Sequence, residues 1–184
     1  MRNEDAFVRV KDLYERYGKN HYGENVTQTQ HAIQCGRLAR LDNQSDEVVI
    51  AAFLHDIGHL VLHETPEEDR DDVIYRHQLV GANLLRSLGF SEMVADLVEK
   101  HVAGKRYLTA VDGAYYATLS DASKESLAFQ GGPMNADEVA AFEAEPNKDL
   151  HIRLRHWDDL AKDSDDPETN MGDYMELIRL HLRA

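Results

Sequence analysis

Ten histidines stand out in this 184-residue chain. With the aspartates they supply five features able to do chemistry together: His31, the adjacent pair His55-Asp56, His77, His101 and Asp158. Imidazole and carboxylate in combination suit iron, manganese, zinc or cobalt better than magnesium. An aspartate beside a ligating histidine can bridge two ions with its two oxygens. Two ions a few ångströms apart can then clamp a substrate and activate water or oxygen. A lone helical histidine is more often surface or core filler, and His63, His151, His156 and His181 are read that way. The pair differs because of its setting, Ala51-Ala52-Phe53-Leu54-His55-Asp56-Ile57-Gly58-His59. Apolar residues carry it inward, where an unpaired aspartate is costly. A neighbouring cation offsets that charge.

The elements that must position these groups are helices. Phe7, Val10, Leu13, Tyr14 and Tyr17 form one stripe, stopped at Gly18. Thr27 caps a second helix through about Leu41. Ser45 caps a third, with Asp46 and Glu47 in its first turn. That third helix runs to Asp56, is apolar nearly all round and so belongs at the centre, and ends at Gly58. Residues 63–72 read as an exposed acidic loop. Further helices are expected from about Val73 to Leu88, from Ser91 to His101, and, interrupted at Gly113, from Tyr107 to Phe129. Gln130-Gly131-Gly132-Pro133 is a strong breaker. Asn135 caps a helix to Ala144, the segment after Pro146 carries Trp157 and Asp158, and a last amphipathic helix uses Met171, Tyr174, Met175, Ile178 and Leu182. No strand alternation appears. The expected class is all-α, with residues 1–184 as one domain.

Composition narrows the partners. The net charge is −14, from 34 acidic and 20 basic residues. Such a surface repels nucleic-acid backbones and anionic lipid, so neither is expected as a partner. No apolar run is long enough to span a bilayer, and the charged N-terminus has no signal core. The single cysteine, Cys35, fits a reducing cytoplasm.

The order His31, Leu54-His55-Asp56-Ile57-Gly58-His59, His77, His101 and Asp158 resembles the HD-domain superfamily, all-helical metalloproteins that are mostly phosphohydrolases. Four longer segments narrow the resemblance. They are residues 22–28 (YGENVTQ), 120–123 (SDAS), 126–134 (SLAFQGGPM) and 154–162 (LRHWDDLAK). Together they resemble the organophosphonate oxygenases of that superfamily, over nearly the whole chain.

That resemblance implies two irons in a mixed Fe(II)/Fe(III) state, with O2 as co-substrate. His31, His55, Asp56 and Asp158 would hold one iron; Asp56, His77 and His101 would hold the other. His59, Lys105, Ser123 and Arg155 match positions that grip the phosphonate, and Gln130 is placed near the pocket. Glu24 matches the acid that faces the substrate's ammonium group. Where the family's aminoethyl enzyme has a tyrosine three residues before that acid, this chain has His21, with Tyr22 beside it. His21 could occupy an iron position until substrate arrives, Tyr22 could do so, or the gate is absent. The changed residue favours a trimethylated nitrogen, for which Tyr22 and Trp157 could supply aromatic walls, although Trp157 fits the core equally well. The implied reaction is oxidative C–P cleavage of (R)-1-hydroxy-2-(trimethylamino)ethylphosphonate to glycine betaine and phosphate, downstream of a C1-hydroxylase. The alternatives are the same chemistry on the free amine, giving glycine, an HD-type phosphohydrolase, and a non-enzymatic metal-stabilised binding module.

Overall fold

The segment Val48 to Leu54 is buried at every residue, because a helix apolar on all faces can be satisfied only inside. It is the central helix of a computed structural model that describes residues 3–21 and 25–183. In chain order the helices are α1 (Asn3–Tyr17), α2 (Gln28–Leu41), the central α3 (Asp46–Leu54), α4 (Ile57–Val61), α5 (Arg70–Tyr75), α6 (His77–Leu88), α7 (Glu92–Val111), α8 (Tyr115–Thr118), α9 (Asp121–Phe129), α10 (Ala136–Glu143), α11 (Lys148–Leu160) and α12 (Gly172–His181). Among the described residues no strand forms, and one isolated bridge pairs His21 with Thr27. No described helix is long and apolar enough to cross a membrane.

Around α3 the rings of Tyr14 and Tyr174 stack on Phe53 at 4.9 and 4.7 Å. The Tyr14 hydroxyl donates to the Phe53 carbonyl at 2.9 Å, which satisfies a backbone group near the end of α3. One apolar cluster extends from α1 through α3 to α12. A smaller one, Leu108, Tyr115, Leu119 and Leu127, seats α8 and α9 on the far part of α7. Trp157 is buried in the main cluster with its Nε1 donating to Asp42 at 2.9 Å. It is core, one of the two places its sequence setting allowed, and it is not a wall of the cavity.

Thr27 caps α2 as expected, with a full capping box to Gln30. Ser45 occupies the N-cap position of α3 but makes no side-chain cap bond.

Several boundaries differ from the sequence reading. The third helix stops at Leu54, and Asp56 sits in a break (φ −100°, ψ 11°) before α4. Gly58 is not a helix end. It lies inside α4, where an added Cβ would come within 2.0 Å of the His77 carbonyl oxygen. Only glycine permits α4 to cross the start of α6 that closely. Residues 62–69 hold two short 3-10 turns where a plain loop was expected. The helix expected over 73–88 breaks at Arg76, so His77 opens α6. Helix α7 runs on past His101 to Val111, which places that histidine mid-helix with Lys105 one turn beyond it on the same face.

Candidate metal centre

Five helices and one break deliver the site. His31 comes from the first turn of α2, His55 from the end of α3, Asp56 from the break, His77 from the start of α6, His101 from α7 and Asp158 from α11. Asp56 stands at the N-cap of α4 yet makes no capping bond. Its carboxylate turns to the imidazoles instead.

The geometry divides around that carboxylate. Asp56 Oδ2 lies 3.6 Å from both His31 Nε2 and His55 Nε2. Asp56 Oδ1 lies 3.5 Å from His77 Nε2 and 3.7 Å from His101 Nε2. Asp158 Oδ1 joins the first group, 3.3 Å from His31 Nε2 and 3.9 Å from His55 Nε2. One aspartate therefore faces two clusters, one with each oxygen. The spacing and residue types of the six expected ligands are brought together in full.

Proton placement tests whether a metal fits. Each of the four rings directs Nδ1 at a backbone carbonyl: His31 at Ala161 (2.8 Å), His55 at Ala52 (2.8 Å), His77 at Ile74 (3.1 Å) and His101 at Val98 (2.7 Å). A carbonyl only accepts, so each Nδ1 carries a proton and a neutral ring offers an Nε2 lone pair. Yet His31 Nε2 and His55 Nε2 are 3.2 Å apart, and His77 Nε2 and His101 Nε2 are 3.1 Å apart. Between neutral rings the facing lone pairs repel. Burial opposes a second proton on His55, but Asp56 outweighs it and raises that ring well above the ordinary value. In the metal-free protein a proton therefore bridges the first pair, and a bound cation takes its place. Two neighbouring ligands on one ion at about 2.1 Å sit roughly 3 Å apart, so a cation in each cluster satisfies both nitrogens at once. Outward Nδ1–H bonds of this kind are what orient ligating histidines.

The electrostatics point the same way. Burial alone would raise the Asp56 carboxyl, but His55, His59, His77 and His31 outweigh it and hold Asp56 well below the usual carboxylate range. Burial opposes Asp158 likewise, and Arg155 holds that carboxyl down. Burial pushes His101 well below the ordinary histidine value, and His77 adds to the effect. The centre thus presents ionised carboxylates and, at His77 and His101, unprotonated imidazoles, the forms that bind metal.

His59 borders the second cluster. Its Nε2 is 4.0 Å from Asp56 Oδ1 and its ring stacks on His77 at 3.9 Å. Asp56, His59 and His77 alone could hold an ion. His101 turns its Nε2 to within 3.1 Å of His77 Nε2, lies nearer Asp56 than His59 does, and has its Nδ1 anchored, so His101 is the better fourth imidazole. Burial and then His77 push His59 down to about 3.

The six residues form the floor and walls of a cavity of about 450 Å³, apart from His55, which lies fully buried behind it. Lys105, Ser123 and Arg155 line it as expected. Lys105 donates to Ser126 at 2.8 Å, and burial lowers its ammonium to about 8, with Arg155 adding to the effect. Arg155 is nearly enclosed, 3% exposed. It donates to Asp158 at 2.6 Å and is paired with Asp159, while its Nε donates to the Tyr115 hydroxyl at 3.0 Å. It approaches Ser123 Oγ at 3.4 Å. His21 also lines the cavity. Gln130 does not. It closes α9 with its backbone N–H on Ser126, and the chain turns away through Gly131 and Gly132 at positive φ. Tyr22 and Glu24 lie outside the described residues.

Sequence reasoning missed Lys162, which lines the cavity and reaches Ser120 and Ser123 at 3.2 and 3.4 Å. It also missed Ser126, Glu125, Tyr75 and Phe129 on the wall. A helical signal existed for α9. Ala122, Ser123, Ser126 and Phe129 follow the spacing of one face.

Residues 29–163 match the HD domain. This chain belongs to the HD-domain family. It is 41% identical over 158 residues to the [1-hydroxy-2-(trimethylamino)ethyl]phosphonate dioxygenase (glycine-betaine-forming) of Leisingera caerulea, covering 85% of this chain and 80% of that one. It is 39% identical over 160 residues to the hydroxymethylphosphonate dioxygenase of Gimesia maris, covering 84% and 78%. An uncharacterised protein of Acanthamoeba polyphaga mimivirus is 34% identical over 160 residues, covering 83% and 71%. The HD-domain match spans α2 to α11, the helices that supply every group of the centre.

Proposed function

We propose that this HD-domain protein is an O2-dependent dioxygenase that cleaves the C–P bond of (R)-1-hydroxy-2-(trimethylamino)ethylphosphonate, giving glycine betaine and phosphate. The observation that carries the reading is the two-faced Asp56, with a pair of inward Nε2 atoms on each oxygen, beside a cavity wall of Lys105, Arg155 and Lys162. The two named relatives favour oxygen over water as co-substrate. In this reading the metals are two irons, one Fe(II) and one Fe(III). His31, His55, Asp158 and one Asp56 oxygen hold the first; His77, His101 and the other Asp56 oxygen hold the second. Bound iron supplies electrons to O2 and Lewis acidity toward the substrate's oxygens.

The chain's own residues position the rest. Lys105 and Lys162 offset the phosphonate charge, and the Ser123 hydroxyl hydrogen-bonds to it. Arg155, saturated by Asp158 and Asp159, keeps that wall in register and adds its charge. His59, held neutral, accepts the hydrogen bond of the C1 hydroxyl. His21 lines the same cavity. As C1–H and C1–P break, one atom of O2 ends in the carboxylate and the other in phosphate, with one proton released. The C1 hydroxyl requires a hydroxylation step beforehand. The single cysteine fits work in the cytoplasm.

Isotope labelling tests this directly. Under 18O2 both glycine betaine and phosphate should each gain one labelled oxygen. Label arriving in phosphate only from H2(18)O means hydrolysis. Hydroxymethylphosphonate, named for the Gimesia maris relative, is the second reading, because it shares the anionic end. The free-amine substrate is compared in the same assay, and a preference for either over the trimethylated compound overturns the substrate choice.

A further inference from the structure

The cavity is polarised, and its outer end has chemistry that the anion does not use. Helix α9 lines it along one face, from Ser123 near the start to Phe129 at the end. These two are six residues apart, about 9 Å along the axis. Ser123 lies among Lys162 and Arg155, the cationic end. Beyond it the wall becomes Glu125 and then Phe129, whose ring stacks on Tyr75 at 4.3 Å. Phe129 is 57% exposed despite its size. An aromatic pair left partly in water at a cavity mouth gains little from folding and calls for a ligand. Among the described residues Glu125 has no ion-pair partner, and it lies one helical turn from Phe129 on the same side of α9. Two ring faces and one carboxylate make a site for a weakly hydrated cation without N–H groups.

We propose that Tyr75, Phe129 and Glu125 form the subsite for the substrate's quaternary ammonium head and determine selectivity for it. The proposal rests on the reading of this cavity as a phosphonate site, with the anion at Lys105, Ser123 and Lys162. A two-carbon zwitterion then lies along α9, its phosphonate at the inner end and its methyl groups against the rings. The rings select the methylated nitrogen because a primary ammonium must give up hydration that an aromatic face does not replace, whereas methyl groups keep their contact.

Binding to inert probes separates this subsite from turnover. Calorimetry on the metal-loaded protein uses 2-(trimethylammonio)ethylphosphonate, 2-aminoethylphosphonate and methylphosphonate, none of which carries the C1 hydroxyl. The trimethylated probe should bind at least tenfold tighter than methylphosphonate. Phe129→Ala and Tyr75→Ala should each weaken the trimethylated probe about tenfold, and Glu125→Gln should weaken it several-fold. Methylphosphonate affinity should stay within twofold in all three. Both aromatic positions are partly exposed, so these variants should keep the wild-type melting temperature within a few degrees. Equal weakening of the trimethylated probe and methylphosphonate, no weakening, or a wild-type preference for the primary amine overturns the proposal. Absence of O2-dependent turnover with intact probe discrimination instead removes the functional reading and leaves the subsite standing.

Discussion

Asp56 is where the chemistry concentrates, because one carboxylate faces imidazoles with each of its oxygens. Asp56→Asn keeps the shape and removes the charge. Metal analysis of the purified variant should show bound iron falling from two to below one per chain, with turnover below a hundredth of wild type; two irons retained would contradict the bridging role. Lys105 gives a pH prediction. Burial lowers its ammonium to about 8, so the free protein loses this cation as pH rises through that value. The KM for a phosphonate should therefore rise above about pH 8, while kcat stays flatter, because the bound dianion raises the ammonium again. Lys105→Met should raise KM at neutral pH and remove that alkaline dependence. The convergence of His31, His55, Asp56, His77, His101 and Asp158 was legible in the sequence, since their order and the apolar run before His55 survive as a pattern. Lys162 was not, because it lies beyond the end of α11 and reaches the wall only through the fold. Gln130 follows the wall residue Phe129 and closes α9 through its backbone N–H.

The helices were easier to read than their breaks. The stripe of α1, the cap of α2 and the apolar α3 follow from local periodicity and capping. The break at Asp56 and the start of α6 at His77 do not, because tertiary contact decides them. Gly58 shows why. Read locally it stops a helix; in the structure it removes a side chain where α4 meets the His77 carbonyl. Gly58→Ala should push α6 away and separate Asp56 from His77. The expected cost is about 1–3 kcal/mol of stability, a melting-temperature loss of roughly 2–4 °C per kcal/mol. Metal at the His77 and His101 side should be lost first. A variant with unchanged melting temperature and iron content would show that the crossing is not tight. Gly104 plays a similar part where α7 meets α11, since an added Cβ would lie 2.8 Å from the His151 carbonyl oxygen. The His151 Nε2 donates to Asp96 at 3.0 Å beside that crossing, so its burial reflects packing, in keeping with its reading as core filler.

The whole molecule draws its centre from helices far apart in sequence, so metal binding and stability are coupled. A ligand that binds only the folded chain stabilises it by about 2.7 kcal/mol at a hundredfold excess over Kd. Chelation should therefore lower the melting temperature by several degrees, and added Fe(II) should restore it. Acid should act in the same direction. His59, His77 and His101 have folded values below the ordinary one, so each stabilises the fold above about pH 6.5 and loses that contribution as pH falls. Stability measured by thermal melts should decline from about pH 6.5 downward, more steeply in the metal-loaded protein, where proton uptake by a ligand also releases the ion. The all-helical class followed from periodicity across the chain; the polarised cavity did not, because it is assembled by α5, α7, α9 and α11 together. The deciding measurement is O2 uptake and phosphate release from (R)-1-hydroxy-2-(trimethylamino)ethylphosphonate by the iron-loaded protein, with and without air. The account predicts one O2 consumed per phosphate released and no phosphate under anaerobic conditions. Phosphate released at the same rate without O2 would contradict it.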